Sequence, residues 1–261
     1  MNSLHPRSRP PAALLAAALT LAGCAAPAPD WEAGRPGAFA PGDSPISVDS
    51  ALRLADSAAS GGDPASAVHI LRTVAADRPE SPEVQRRLGD AYLQMGATPE
   101  AARAYAALEN IEPGSVAAQL GLGRVALSEG RAAEAETRFR RALAAEPGSV
   151  AAVNGLAVSL DLRGRHAEAQ ALYDQALALD PTNRPVMANR ALSIALAGRP
   201  ADAIDILDLL AQSPIRTPRA TSNLALAYAL AGRDAEAERV LGEELPAERA
   251  AETLALYRSL R

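Results

Sequence analysis

Apolar positions along this chain recur with a period of 34 residues, set by Gly62, Gly96, Gly130, Gly164, Gly198 and Gly232. Five places after each glycine lies an alanine: Ala67, Ala101, Ala135, Ala169, Ala203 and Ala237. Nine places after it lies a larger apolar residue: Leu71, Tyr105, Phe139, Tyr173, Leu207 and Leu241. Seven places before it stands a small one, Ala55, Gly89, Gly123, Ala157, Ala191 or Ala225. This pattern predicts two alanine-rich helices per period, the first ended by a glycine that can take positive φ. The small residues sit where the two helices cross. The larger residue after the glycine fills the space beside them, and Leu88, Leu122, Leu156 and Leu224 pack from the first helix. Pro79, Pro113, Pro147 and Pro181 close four of the periods, because proline drives the preceding residue out of helical geometry.

A helical pair every 34 residues resembles the tetratricopeptide repeat (TPR). The resemblance implies an all-α fold, an α-solenoid of about six helix-turn-helix units with a C-terminal capping helix. The prolines frame the units as 48–81, 82–115, 116–149, 150–183, 184–217 and 218–251. Ala250, Leu254 and Tyr257 place the cap at 247–260, ending in the segment 252–261. The pattern is weakest at its ends: Ala58 replaces the aromatic seen at Tyr92, and Arg190 stands where leucine is expected.

Composition narrows the chemistry. Aromatics are 3% of the chain, so alanine and leucine must build the core. All 26 basic residues are arginine, which removes Schiff-base, P-loop and general-base lysines together. A single cysteine, Cys24, excludes disulfide frameworks and cysteine-rich zinc sites, and three histidines (His5, His69, His166) leave little for a metal. His69 and His166 read as exposed helix residues, and Glu134 with Glu136 as part of a solvated polar face. Gly121-Leu122-Gly123 has the look of a phosphate loop, but no strand precedes it and Gly123 holds a helix-crossing position. The net charge of -5 opposes nucleic-acid binding. The expectation is a protein without catalytic residues, metal, cofactor or small-molecule substrate.

The amino terminus carries Arg7 and Arg9, then an apolar run from Ala12 to Ala22 that is too short to span a bilayer, then Leu21-Ala22-Gly23-Cys24. This resembles the bacterial lipoprotein signal. It implies a signal peptide over 1–23, lipid attachment at Cys24 and, with Ala25 following, an outer-membrane lipoprotein facing the periplasm. Residues 24–47, rich in proline, glycine and alanine, read as a semi-rigid tether.

TPR arrays generally bind peptide segments on the surface lined by their first helices. By repeat position the candidates are Arg86, Leu120, Arg124, Asn154, Val158, Asn189, Leu192, Asn223 and Leu226. Asparagine offers a peptide backbone both donor and acceptor, and leucine offers an apolar pocket. Equally, Asn154, Asn189 and Asn223 can bond neighbouring helices and stiffen the array. The stretches NRALSIALAGRPADAIDIL and RATSNLALAYALAGRDAEAERVL, with the lipoprotein signal, resemble TadD, the TPR lipoprotein family of the tight-adherence (Flp pilus) system. That resemblance implies a scaffold whose partners are the pilus secretin or other pilus-assembly subunits. The alternatives are a type IV pilus pilotin and a regulator that docks a cell-wall enzyme.

Overall fold

The computed structural model describes residues 47–213 and 217–261, so the signal, Cys24 and the tether lie outside the described residues. Thirteen helices and no strand occur among them. They are α1 (Val48–Ser60), α2 (Pro64–Asp77), α3 (Pro82–Gln94), α4 (Thr98–Ile111), α5 (Val116–Ser128), α6 (Ala132–Ala145) and α7 (Val150–Asp161). Then follow α8 (His166–Leu179), α9 (Arg184–Leu196), α10 (Pro200–Ala211), α11 (Pro218–Leu230), α12 (Asp234–Gly242) and α13 (Ala247–Arg258).

Each first helix stops in the same way. At the end of α7 the Arg165 N–H donates to the Leu160 carbonyl and the Gly164 N–H to that of Asp161, with Gly164 at φ 72°. These paired bonds form a Schellman motif, and a side chain at Gly164 would be strained. The same pair of bonds and the same positive φ recur at all six glycines of the 34-residue register. Second helices end on Arg78, Glu112, Glu146 and Asp180, each held extended by the proline that follows.

The arginine after the last four of these glycines has a local task. Arg131, Arg165, Arg199 and Arg233 are the N-caps of α6, α8, α10 and α12, and none caps through its side chain. Each instead pairs with an acid in the first turn: Arg131 with Glu134, Arg165 with Glu168 (2.6 Å), Arg199 with Asp202 (3.7 Å) and Arg233 with Glu236 (2.9 Å). The acid also complements the helix N-terminus, although exposed pairs of this kind contribute little singly.

The chain divides into two compact units. Within residues 47–125, the hairpins α1–α2 and α3–α4 and most of α5 bury Leu71, Val84, Tyr105, Leu108 and Val125 in one core. Within Ala126–Arg261, α6 packs on α7, and α7 to α13 pack each on the next. Leu192, Leu207, Leu226, Leu254 and Tyr257 lie in a shared core there. Helix α13 covers α11 and α12 and is fastened by Arg258 Nε on Asp234 Oδ2 (2.9 Å) and Arg261 Nε on the Ala229 carbonyl (2.6 Å).

Three tyrosines are sealed inside: Tyr105, Tyr173 and Tyr257. Burial raises the pKa of each phenol, that of Tyr257 to about 12. A raised folded-state pKa favours the protonated form in the fold. The stability it represents is full below the ordinary tyrosine value near 10 and is lost as pH climbs through the folded values. Tyrosinate absorbance from these residues is therefore expected to rise together with the loss of helical circular dichroism. Ionisation of all five tyrosines near pH 10 with the helices intact would contradict this burial.

Candidate functional site

In the unit formed by residues 47–125, the first helices carry a continuous ionic network. Asp56 on α1 accepts from Arg87 Nη1 (2.6 Å), and Arg87 Nε donates to Glu83 (2.6 Å) on the same helix, α3. Glu83 takes a two-pronged bond from Arg86 (2.8 and 3.0 Å), and Arg86 Nη1 continues to Asp90 Oδ2 (3.1 Å). Asp90 Oδ1 then accepts from Arg124 Nη1 on α5 (2.9 Å) and from the Tyr105 hydroxyl on α4 (2.7 Å). The bond from Arg86 is the main reason Glu83 is held down at a pKa of about 2. Two of the predicted residues, Arg86 and Arg124, are thus brought together on Asp90. Both keep exposed surface, and Leu120 on α5 is half-buried.

In the unit Ala126–Arg261 the predicted residues divide by repeat position. Asn189 Nδ2 donates to Asn154 Oδ1 (3.0 Å), joining α9 to α7, and Asn223 Nδ2 donates to the Ala188 carbonyl (3.2 Å), joining α11 to α9. Asn189 and Asn223 are buried, Asn154 is half-buried, and Asn189 Oδ1 has no hydrogen-bond partner. Asn189 and Asn223 stand nine places before a register glycine, where Gly121 and Gly155 stand in earlier repeats. A Cβ at Gly121 would lie 2.3 Å from the Tyr105 ring, and one at Gly155 2.4 Å from the Phe139 ring. This position faces the preceding hairpin, so asparagine there bonds a neighbouring helix. Val158, Leu192 and Leu226 are buried as well, Leu192 and Leu226 to 1% exposure. The residues that keep surface for a ligand are Arg86, Leu120, Arg124 and Asn154.

Two readings of the polar residues need correction. His166 is not a free surface residue: its Nδ1 lies 2.8 Å from Asp161 Oδ1. Asp161, nearly inaccessible at the end of α7, also accepts from Ser193 Oγ (2.7 Å) and the Tyr173 hydroxyl (2.9 Å). Glu136 is not on a solvated face either. It is 2% exposed and paired with Arg140, Arg163 and Arg165. Helical periodicity places a residue on one face of its own helix, and the loop that covers this face lies 27 residues on. His69 is exposed. Among the described residues no three His, Cys, Asp or Glu side chains are grouped as a metal would require, and no helix is long and apolar enough to cross a membrane.

These antiparallel hairpins, repeating every 34 residues around alanine crossings, define a helical-repeat scaffold whose polar clusters join helices to one another. Tetratricopeptide-repeat family models match residues 58–125, 120–184, 164–216 and 218–243. The chain belongs to the tetratricopeptide-repeat proteins, a family of protein-interaction scaffolds. No curated protein sequence matches it closely enough to name a relative. Among solved structures, a tetratricopeptide repeat protein from Parabacteroides merdae ATCC 43184 is similar at TM-score 0.68 and 17% identity, over 82% of this chain and 86% of that one. PilW, a widely conserved type IV pilus biogenesis factor, is similar at TM-score 0.63 and 19% identity, over 79% and 97%. PilF of Pseudomonas aeruginosa is similar at TM-score 0.57 and 16% identity, over 78% and 94%. At these identities the likeness is one of fold.

Proposed function

We propose that this chain is an envelope scaffold, anchored through lipid on Cys24 to the outer membrane and facing the periplasm. Its first-helix faces hold a segment of a pilus-assembly protein, with the secretin of the Flp pilus as the leading partner. The observation that carries this reading is the sequence Leu21-Ala22-Gly23-Cys24 ahead of a tetratricopeptide-repeat array. Lipid at the first residue of the mature chain fixes position, and the repeats supply a peptide-binding surface. Within residues 47–125, Arg86 and Arg124 are suited to an incoming carboxylate or backbone carbonyl, and Leu120 to an apolar contact. The likeness in fold to PilW and PilF favours a second reading, a scaffold for a type IV pilus.

The anchor and the partner are tested separately. In cells carrying Cys24→Ala the secretin is expected to mislocalise or fail to assemble, and normal localisation would remove the anchoring claim. A photo-crosslinking side chain at Arg124 is expected to capture the Flp secretin. Capture only from Leu209, which is 74% exposed on the second helix α10, would overturn the first-helix surface. Capture of a type IV pilus subunit from Arg124 would decide for the second reading.

A further inference from the structure

We propose that the arginine cluster around Glu136 is a docking point for an acidic polypeptide segment of a partner protein. The surface is separate from the first-helix faces discussed above. It is built from the second helix α6 and the loop joining α7 to α8. Glu136 pairs with Arg140 on its own helix and with Arg163 and Arg165 from that loop. Arg165 also forks onto Glu168, Nε to Oε1 at 2.7 Å and Nη2 to Oε2 at 2.6 Å.

Three guanidiniums thus meet two carboxylates, a local excess of one positive charge in a chain of net charge -5. Asp234 also takes two arginines, Arg258 and Arg261, at the C-terminal helix, whereas the clusters at Arg131 and Asp90 carry no excess. Arg131 faces both Glu129 and Glu134, and Arg86, Arg87 and Arg124 face Asp56, Glu83 and Asp90. Arg165 is matched by Glu168, so Glu136 holds one arginine more than its own neutralisation needs. Glu136 holds one end of each guanidinium, while the Arg140 and Arg163 side chains remain 57% and 42% exposed. The fixed fork suits the paired oxygens of an incoming carboxylate, and little side-chain freedom is left to lose on binding. The overall negative charge disfavours an extended anionic surface such as a membrane or a nucleic acid. A short acidic segment can reach this patch alone.

The test is fluorescence anisotropy of a labelled oligoglutamate peptide titrated with the full chain at low ionic strength. Saturable binding that weakens with added salt is expected, with none for oligoglutamine. Arg163→Gln is expected to weaken binding about tenfold, the loss of one charge-assisted hydrogen bond. Arg140→Gln, at the most exposed of the three, is expected to act in the same direction and keeps the test decisive should Arg163→Gln fail to fold. Arg103→Gln, on an exposed arginine paired with Glu100 in the other unit, is expected to leave binding unchanged. Absence of binding, an equal loss from Arg103→Gln, or these arginines capturing phosphatidylglycerol vesicles instead of the peptide would each overturn the proposal. None of these outcomes bears on secretin capture from Arg124.

Discussion

Gly155→Leu is expected to destabilise the unit Ala126–Arg261 by about 3 kcal/mol or more, the cost of forcing volume into a filled core. Even the Cβ of an alanine would lie 2.4 Å from Phe139 Cε1 and 2.5 Å from Cζ, and the Phe139 ring is itself sealed at 1% exposure. Alanine gains about 1 kcal/mol in helix propensity over glycine, but overpacking costs about 1–3 kcal/mol, so packing wins and Gly155→Ala also destabilises. Gly242, the last residue of α12, reverses the sign. A Cβ there meets nothing within 4 Å, so Gly242→Ala is expected to gain roughly 0.5 kcal/mol. Urea unfolding of the two alanine variants checks the contrast. Equal midpoints for both would show that the crossing is not filled.

Asp161→Ala is expected to cost about 3 kcal/mol. It strands the Tyr173 hydroxyl and the Ser193 hydroxyl, both buried, and each unsatisfied buried donor costs about 1–3 kcal/mol. It also releases His166. Asp161→Asn retains one acceptor oxygen and costs less. Tyr173→Phe removes one donor, so in a double-mutant cycle with Asp161→Ala the two losses should add to less than their sum. Strict additivity would mean that the 2.9 Å bond contributes nothing.

The contrast between Gly164 and Glu136 shows what is legible in this sequence. Gly164 announces itself because a backbone bend needs the same residue in every repeat, and its positive φ follows from the spacing alone. The alanines at 135, 169 and 203 are readable for the same reason, and all are fully buried. Glu136 is not readable. Arg140 is a helical neighbour four residues on, but Arg163 and Arg165 reach Glu136 from a loop, and nothing in the chain between marks them as its partners. Asn189 and Asn223 fall between these cases. Their repeat position is evident, but whether it faces outward or toward the previous hairpin is settled only by the rings of Tyr105 and Phe139 at the equivalent glycines. The arginine after the last four of these glycines is visible as a recurrence, but its pairing with an acid three residues on is a matter of helix geometry.

Helix α13 gives the chain a direction. In this unit each hairpin leans on the next, and a stack of like pieces has no inherent reason to stop. Ala250, Leu254 and Tyr257 cover the exposed side of α11 and α12, and Arg258 and Arg261 bolt the helix to Asp234. A molecule truncated after Pro246 would present that side bare, ready to receive a hairpin from another copy, and head-to-tail growth of that sort need not close on itself. Residues 247–261 therefore shield an apolar side of α11 and α12 that would otherwise face solvent.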